Sequence, residues 1–465
     1  YTFSAAGFAE LFFTFVLAYV VLAVATTRPP ASQVTTQNFY FAFSIGSCVT
    51  AGGLAIGVVS GGELNPAVSV GISMLSTLSP GSTPLPQITY LFGYIFMELI
   101  GGICAATLFR FTHPKEFNPN SPLDVSRLVC EFVGTFVLVF TVGCCALAGS
   151  ATWNATAIAC VFMAMIYATG PISGGNLNPA VSFALGLTGA LPWPDVFKYW
   201  LAQLSAGAAA GATYLAMFAP RTASLEPVVP FDPFHALLVE ANYTGVLCFV
   251  VLNCAVSRRN NPTTDGNQFF ALAIGFVIIA GGYVAGGIPG ACFNPAVAVW
   301  VDIKHAVLHW GAGWALAEMA GAAASVAFYV LLRPDEKKSG DEFDNYKPSL
   351  MTRCLSEFLG VFVLVLTVGL NVVMGSTAVA WSAAASLMFM TYALGNVSGA
   401  HFNPAVTLAV AASGRNKCSA KDAVAYVIAQ MLAGVAAGLT VGSFHAAGPS
   451  RDRRFVLAPG SGYSA

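Results

Sequence analysis

The strongest constraint on the fold is a short motif, Asn-Pro-Ala followed by Val, that occurs four times along the chain. The four asparagines follow one another in steps of 113, 116 and 109 residues. This near-even spacing along a chain of 465 residues indicates four repeats of one structural unit. The motif residues are Asn65, Pro66 and Ala67; Asn178, Pro179 and Ala180; Asn294, Pro295 and Ala296; and Asn403, Pro404 and Ala405.

A second landmark recurs in register, because a glutamate near the start of an apolar segment precedes each motif. The four are Glu10, Glu131, Glu240 and Glu357, and their distances to the next motif asparagine are 55, 47, 54 and 46 residues. The alternation of long and short distances predicts two similar double units. A Pro-rich polar stretch at 223–234 is typical of a linker. We therefore predict units at 1–222 and 235–465.

The amino-acid composition indicates a membrane protein. It is 56% hydrophobic and 9% charged, which is outside the range of soluble domains. Apolar segments long enough for a bilayer core of about 30 Å recur, for example 5–25 and 128–148. We expect an integral, multi-pass membrane protein, and the identity of the membrane stays open. The net charge of −1 gives no signal for nucleic acid.

Other functional classes find little support. Most of the eleven cysteines lie inside apolar segments, where they are expected to be packing residues. No histidine completes a metal-binding spacing, so neither a metal nor another cofactor is expected. The sequence shows no set of nucleophile, base and oxyanion donors and no phosphate loop. An enzyme is therefore not expected.

Each motif predicts the start of a short helix, since Asn caps the free amides and Pro fits the first turn. The segment 65–75 is too short to cross a membrane, so it is predicted to be a half-helix that ends near the midplane. Irregular backbone at that depth is tolerated only where it lines a water-filled cavity or is buried in protein.

Paired Asn-Pro-Ala motifs on reentrant half-helices, each preceded by a glutamate-bearing helix, resemble the aquaporin or major intrinsic protein family. The resemblance covers essentially the whole chain. It implies an all-α membrane fold of two aquaporin-like units, each with six transmembrane helices and two reentrant half-helices in inverted repeats. It also implies one pore per unit for water or small neutral solutes across the lipid bilayer. Two tandem chains would then form a dimer that is a pseudo-tetramer.

Within each unit, the two half-helices are expected to meet, bringing Asn65 to Asn178 and Asn294 to Asn403. Two helix N-termini of about half a positive charge each would then converge and repel cations. The asparagine amides can donate to a passing oxygen. The alternative is that the asparagines are helix caps only.

The intramembrane carboxylates have two interpretations. Carboxylates inside spanning segments are costly and are functional candidates by default. The resemblance implies that Glu10, Glu131, Glu240 and Glu357 accept hydrogen bonds from the amides of the reentrant loops, and the alternative is a proton relay. Later in each repeat stands Glu98, Gln203, Glu318 or Gln430. This exchange indicates that a hydrogen-bonding side chain is needed there and that its charge is optional.

The expected selectivity filter departs from the family pattern. The family usually places Arg directly after the second Asn-Pro-Ala, where this chain has valine. Without that cation, the constriction would be wider or dry enough to be closed. Matched by offset, the predicted filter positions are Phe43 or Ile45, Ile166, Gly175 and Val181 in the first unit, and Ile274, Thr391, Ala400 and Val406 in the second.

Three functions remain open. Paired half-helices favour a passive channel, whereas apolar filters and the tandem fusion favour a structural or junctional protein with little transport, part of a larger assembly. A coupled transporter is disfavoured because nothing breaks the symmetry of the repeats to form a single substrate site. The long charged loop 333–353 is the candidate for a protein contact, with a solvated loop as the alternative.

Overall fold

The computed structural model describes residues 1–27, 38–78, 84–150, 152–221, 223, 225–263, 265–288, 290–301 and 310–452, without the side chains of 76–78 and 84–88. Two residues at the predicted unit boundary, 222 and 224, lie outside this set.

Each repeat consists of two long helices, a half-helix that begins at the motif proline, and a last long helix. The first repeat contains α1 (Phe3–Ala25), α2 (Phe41–Ser60), α3 (Pro66–Leu78) and α4 (Pro84–Thr112). The second contains α5 (Asp124–Ala148), α6 (Asn154–Ser173), α7 (Pro179–Thr188) and α8 (Trp193–Phe218). The third contains α9 (Pro233–Val251), α10 (Phe270–Ala285), α11 (Pro295–Trp300) and α12 (Gly311–Leu332). The short α13 (Asp341–Asp344) precedes the fourth repeat, which contains α14 (Leu350–Met374), α15 (Val379–Ser398), α16 (Pro404–Ala412) and α17 (Ala420–Ala447).

Most of the long helices suit a bilayer. Ten helices in the described part of the chain are long and apolar enough to cross a membrane. The two other long helices are α10, with 16 residues, and α15, with 20. The expectation of an all-α, multi-pass membrane protein is confirmed.

Helix packing follows the same plan in every repeat. The first and last long helices pack against each other, as α9 and α12 do. Small residues allow this approach: a Cβ atom on Gly245 of α9 would lie 2.9 Å from the carbonyl oxygen of Gly321 in α12. The second helices form a row in which α6 contacts both α2 and α10, and α10 also contacts α15.

The half-helices reveal which repeats interlock. The half-helix α7 of the second repeat packs against α9 and α12 of the third, and α11 of the third packs against α5 and α8 of the second. We call the second and third repeats the inner repeats, and the first and fourth the outer repeats. In the described residues, α3 and α16 pack mainly on α4 and α17 of their own repeats.

This arrangement corrects the expected pairing of the first repeat with the second and of the third with the fourth. The motifs follow each other at similar steps, so spacing alone is compatible with pairing either pair of neighbours. The stretch 223–234 was predicted as a linker, and its described residues 225–234 lie within the interlocked pair, where Val228 N donates to Ile288 O at 2.8 Å.

The loop 333–353 folds onto its own chain. Arg333 is buried and donates from Nε to Asn253 Oδ1 at 2.9 Å and from a terminal nitrogen to Ala393 O at 2.8 Å. Arg259 forms an ion pair of 2.9 Å with Asp335. The contact of Arg333 with Ala393 ties the third repeat to the fourth, and the other two hold the loop against the third repeat.

Candidate functional site

A loop with left-handed backbone leads into each half-helix. In the second repeat, φ is 91° at Gly174, 61° at Gly175 and 51° at Leu177. In the third repeat, φ is 51° at Phe293. Glycine adopts such angles freely, whereas each non-glycine residue there costs of order 1–3 kcal/mol. The glycines indicated a turn in the sequence. No sequence feature predicted the left-handed backbone at Leu177 or Phe293.

A buried carboxylate holds each strained loop. Glu131 Oε1 accepts from Ser173 Oγ at 2.7 Å and from Asn176 N at 3.0 Å, and Oε2 accepts from Leu177 N at 2.7 Å. In the third repeat, Glu240 accepts from the amides of the two residues that precede the motif, at 2.9 Å each. Both carboxylates are completely buried. They act as acceptors for backbone amides that would otherwise be unpaired in an apolar interior.

The outer repeats contain the same arrangement. Glu10 accepts from Leu64 N at 2.8 Å, and Glu357 accepts from Phe402 N at 2.7 Å. This loop support is therefore built within each repeat and does not require a neighbouring repeat.

The last helix of each repeat adds a second hydrogen bond network, and here the repeats divide into two types. Glu318 accepts from Asn294 N at 2.7 Å, whereas Gln203 donates to Glu131 at 2.8 Å and to Ser182 Oγ at 3.0 Å.

The outer repeats follow the same division. Glu98 accepts from Asn65 N at 3.1 Å, like Glu318, and Gln430 donates to Glu357 at 2.9 Å, like Gln203. The first and third repeats are thus of one type, and the second and fourth are of the other.

Two motif asparagines meet between the inner repeats. Asn178 Nδ2 donates to Phe293 O at 2.8 Å, and Asn294 Nδ2 donates to Leu177 O at 2.9 Å. Each asparagine also caps its own half-helix, with Oδ1 accepting from the amide two residues on at 2.9 Å. An amide nitrogen carries two hydrogens, so each side chain keeps one N–H for another acceptor.

The expected partners of these two asparagines lie elsewhere. Asn65 and Asn403 are exposed in the chain, whereas Asn178 and Asn294 are 1% and 3% exposed. The structure therefore brings together only the two motifs of the inner repeats.

A cavity of about 540 Å³ reaches both Asn178 and Asn294. Its walls are largely apolar, and the residues that line it carry no charged side chain in the described part of the chain. Apolar side chains and glycines contributed by both inner repeats include Leu138, Val142, Ile158, Leu247, Ile278, Gly282, Ala291 and Val297. The arrangement is an apolar vestibule that leads to two amide donors.

None of the nine predicted filter positions lines this cavity. Gly175, Ile166, Val181 and Ile274 are buried elsewhere; Ile45 and Ala400 are half-buried; and Phe43, Thr391 and Val406 are exposed. The predicted positions were grouped by repeats that do not interlock. Ile166, Gly175, Val181 and Ile274 all lie in the inner repeats, and their role as filter positions stays a prediction. The sequence already indicated two types of repeat, because the same position of the last helix holds glutamate in Glu98 and Glu318 and glutamine in Gln203 and Gln430.

Interlocked repeats with facing, capped half-helices inside a bundle of apolar helices define a multi-pass membrane channel protein. The sequence profile of the family described as Major intrinsic protein matches residues 1–148, 118–298, 228–371 and 342–465, and the chain belongs to this family. The family is one of membrane channels for water or small solutes. The matches along the whole length agree with the tandem organisation predicted from the motifs.

Several individual relatives are plant proteins. The chain is 33% identical to Aquaporin NIP1-4 of Oryza sativa subsp. japonica over 226 residues, which is 46% of this chain and 80% of that protein. It is 32% identical to Aquaporin NIP1-1 of Zea mays over 184 residues, or 38% of this chain and 63% of that protein.

Proposed function

We propose that the inner repeats, residues 118–332, form one complete channel for the passive permeation of water and small neutral solutes. The observation that carries this proposal is the reciprocal pairing of Asn178 and Asn294 where the cavity reaches them. This unit runs through the stretch that we had predicted to be a linker between two units.

The chemistry of the site supports neutral solutes. A hydroxyl or carbonyl oxygen that reaches the pair meets one N–H from each asparagine, and the polar side chains of the lining, such as Thr152, Asn154 and Tyr283, lie among largely apolar walls. The N-termini of α7 and α11 add partial positive charge there, which disfavours cations.

The vestibule suggests how solutes are selected. Ile158 and Val297 can contact the alkyl part of a solute, and the described lining carries no charge that would compensate an ion for its lost hydration. Selection would then depend on size and neutrality rather than on a charged filter.

The test is the osmotic response of liposomes that carry the purified full chain, followed by light scattering with water, urea and glycerol. We expect permeability above that of empty liposomes, and a clear fall in the Ile158→Trp variant, whose indole would occupy the vestibule. Leu201→Trp is the matched control, because Leu201 is 73% exposed on α8 and should leave permeability unchanged. Wild-type permeability equal to that of empty liposomes would contradict the proposal and favour a structural role.

A further inference from the structure

The outer repeats present a pore-lining face that is uncovered in one chain. Val68 of the first repeat is 43% exposed, whereas its inner counterpart Val297 is 2% exposed. Among the described residues, no acceptor pairs with Nδ2 of Asn65 or Asn403. The same chemistry that pairs the inner half-helices is therefore present, and unused, at the outer ones.

Lipid is a poor cover for this face. The backbone just before each outer half-helix is irregular, with φ of 56° at Leu64 and 47° at Phe402. Irregular backbone at membrane depth is not stable against lipid, so protein or a water-filled cavity must cover it.

The two outer repeats are complementary to each other. The inner channel combines one repeat of the Glu318 type with one of the Gln203 type. The first repeat has Glu98 and belongs to the former type, whereas the fourth has Gln430 and belongs to the latter. What remains outside the inner channel is therefore one repeat of each type.

A glycine marks where the partner half-helix would pack. Gly207 of α8 makes room for α11, because a Cβ atom there would lie 2.8 Å from Ala296 O and 2.6 Å from Trp300 Cδ1. Gly207 stands four residues after Gln203, and Gly434 stands four residues after Gln430. A Cβ atom on Gly434 would meet nothing within 4 Å in the described chain. The space that α11 fills in the inner channel is thus open at α17.

One chain cannot close this contact by itself. The outer repeats pack at opposite ends of the row formed by α2, α6, α10 and α15, with α2 against α6 and α15 against α10. The complementary faces must therefore be satisfied by another molecule.

We propose that two copies of this chain associate through their outer repeats, the first repeat of each copy completing a pore with the fourth repeat of the other. A two-fold axis forms two such contacts at once, since each copy supplies one repeat of each type. The Asn403 amide of one copy would donate to Leu64 O of the second, and Asn65 to Phe402 O. Together with the two inner channels, two chains would make four pores. The pairing of the outer repeats does not depend on whether the inner channel conducts.

Site-specific photocrosslinking in the full chain tests the pairing directly. A benzophenone amino acid replaces Val68, and two differently tagged copies are co-expressed in one membrane. We expect ultraviolet light to give an adduct that carries both tags, with the crosslink mapped to residues 398–447 of the second copy. The control position is Leu201, which should give no adduct to that segment. Adducts only to lipid, to the same chain or to a different protein would overturn the proposal.

A pair of glycine variants provides a second measurement. Gly434→Leu fills the open space and should strongly reduce the crosslink and the dimer fraction in detergent. Gly442→Leu should leave both unchanged, because the inner counterpart of Gly442 is already a leucine, Leu215. Both glycines lie in open space within one chain, so neither variant threatens its folding. An unchanged crosslink in Gly434→Leu would contradict the pairing, whatever the permeability of the protein.

Discussion

Inner and outer repeats carry the same motif in different surroundings. Val181 of the second repeat is 2% exposed, and Val406 at the same motif position of the fourth repeat is 42% exposed. Their loops nevertheless have the same turns and the same glutamate acceptor. The comparison separates two levels of structure: the half-helix and its loop are determined inside one repeat, whereas burial depends on which repeat packs against it.

The largest expected effect comes from removing the loop acceptor. Glu131→Ala leaves at least the amides of Asn176 and Leu177 without an acceptor, at about 1–3 kcal/mol each. We expect a large drop in the thermal unfolding temperature in detergent and a loss of permeability. Glu131→Gln, which retains one acceptor oxygen, should lose less.

The outer counterpart Glu357→Ala sharpens the comparison, because it removes the same bonds from His401 N and Phe402 N. If a second copy covers the outer loop, the drop in unfolding temperature should approach that of Glu131→Ala. A much smaller drop would show that water reaches the freed amides.

These local features were the part that could be predicted from the sequence. Asparagine before proline predicted the capped half-helices, and the resemblance implied that the glutamates support the loops. Both depend on hydrogen bonds between residues of one repeat, so one copy of the pattern contains the needed information.

The pairing of repeats could not be predicted in the same way. The two middle motifs have neighbours at similar distances on both sides, and the alternation of glutamate spacings fits either choice of partner. The grouping of the filter positions depended on the same choice of partner, whereas each offset was counted within its own repeat. Arg333 likewise stood in a charged stretch that suggested a solvated loop, and its burial depends on Asn253 and Ala393, which are distant in sequence.

A smaller effect is expected from a charge placed in the vestibule. Val297→Arg puts an unpaired cation among walls whose described residues carry no carboxylate, and its long side chain should narrow the path for neutral solutes. A barrier higher by about 1.4 kcal/mol would lower permeation through the inner channel roughly tenfold. Val68→Arg, at the same motif position of an outer repeat, should leave the inner channel open and weaken the dimer. Loss of the dimer in Val297→Arg but not in Val68→Arg would contradict the distinction between inner and outer channels.

The smallest effect concerns the position that follows the last helix in repeats of the Glu318 type, where the first repeat has His113 and the third has Arg333. Arg333 is buried with two hydrogen bonds, whereas His113 is buried against Phe109, with its Nδ1 2.9 Å from Thr112 Oγ1. Burial lowers the pKa of His113 to about 4, so the ring is neutral at pH 7.

Because the folded pKa of His113 lies below its ordinary value of 6.5, the folded state resists protonation and loses stability as the pH falls below 6.5. The loss should be about 1 kcal/mol by pH 6. The measurement is the unfolding temperature of wild type and His113→Gln between pH 7.5 and about 5, where only the difference between the two pH slopes counts. Parallel slopes would mean that the ring is protonated as readily in the fold as in water. A steeper pH slope for the wild type than for His113→Gln would show that His113 titrates in the folded first repeat, where the third repeat has Arg333. The first repeat would then be the more acid-sensitive of these two repeats.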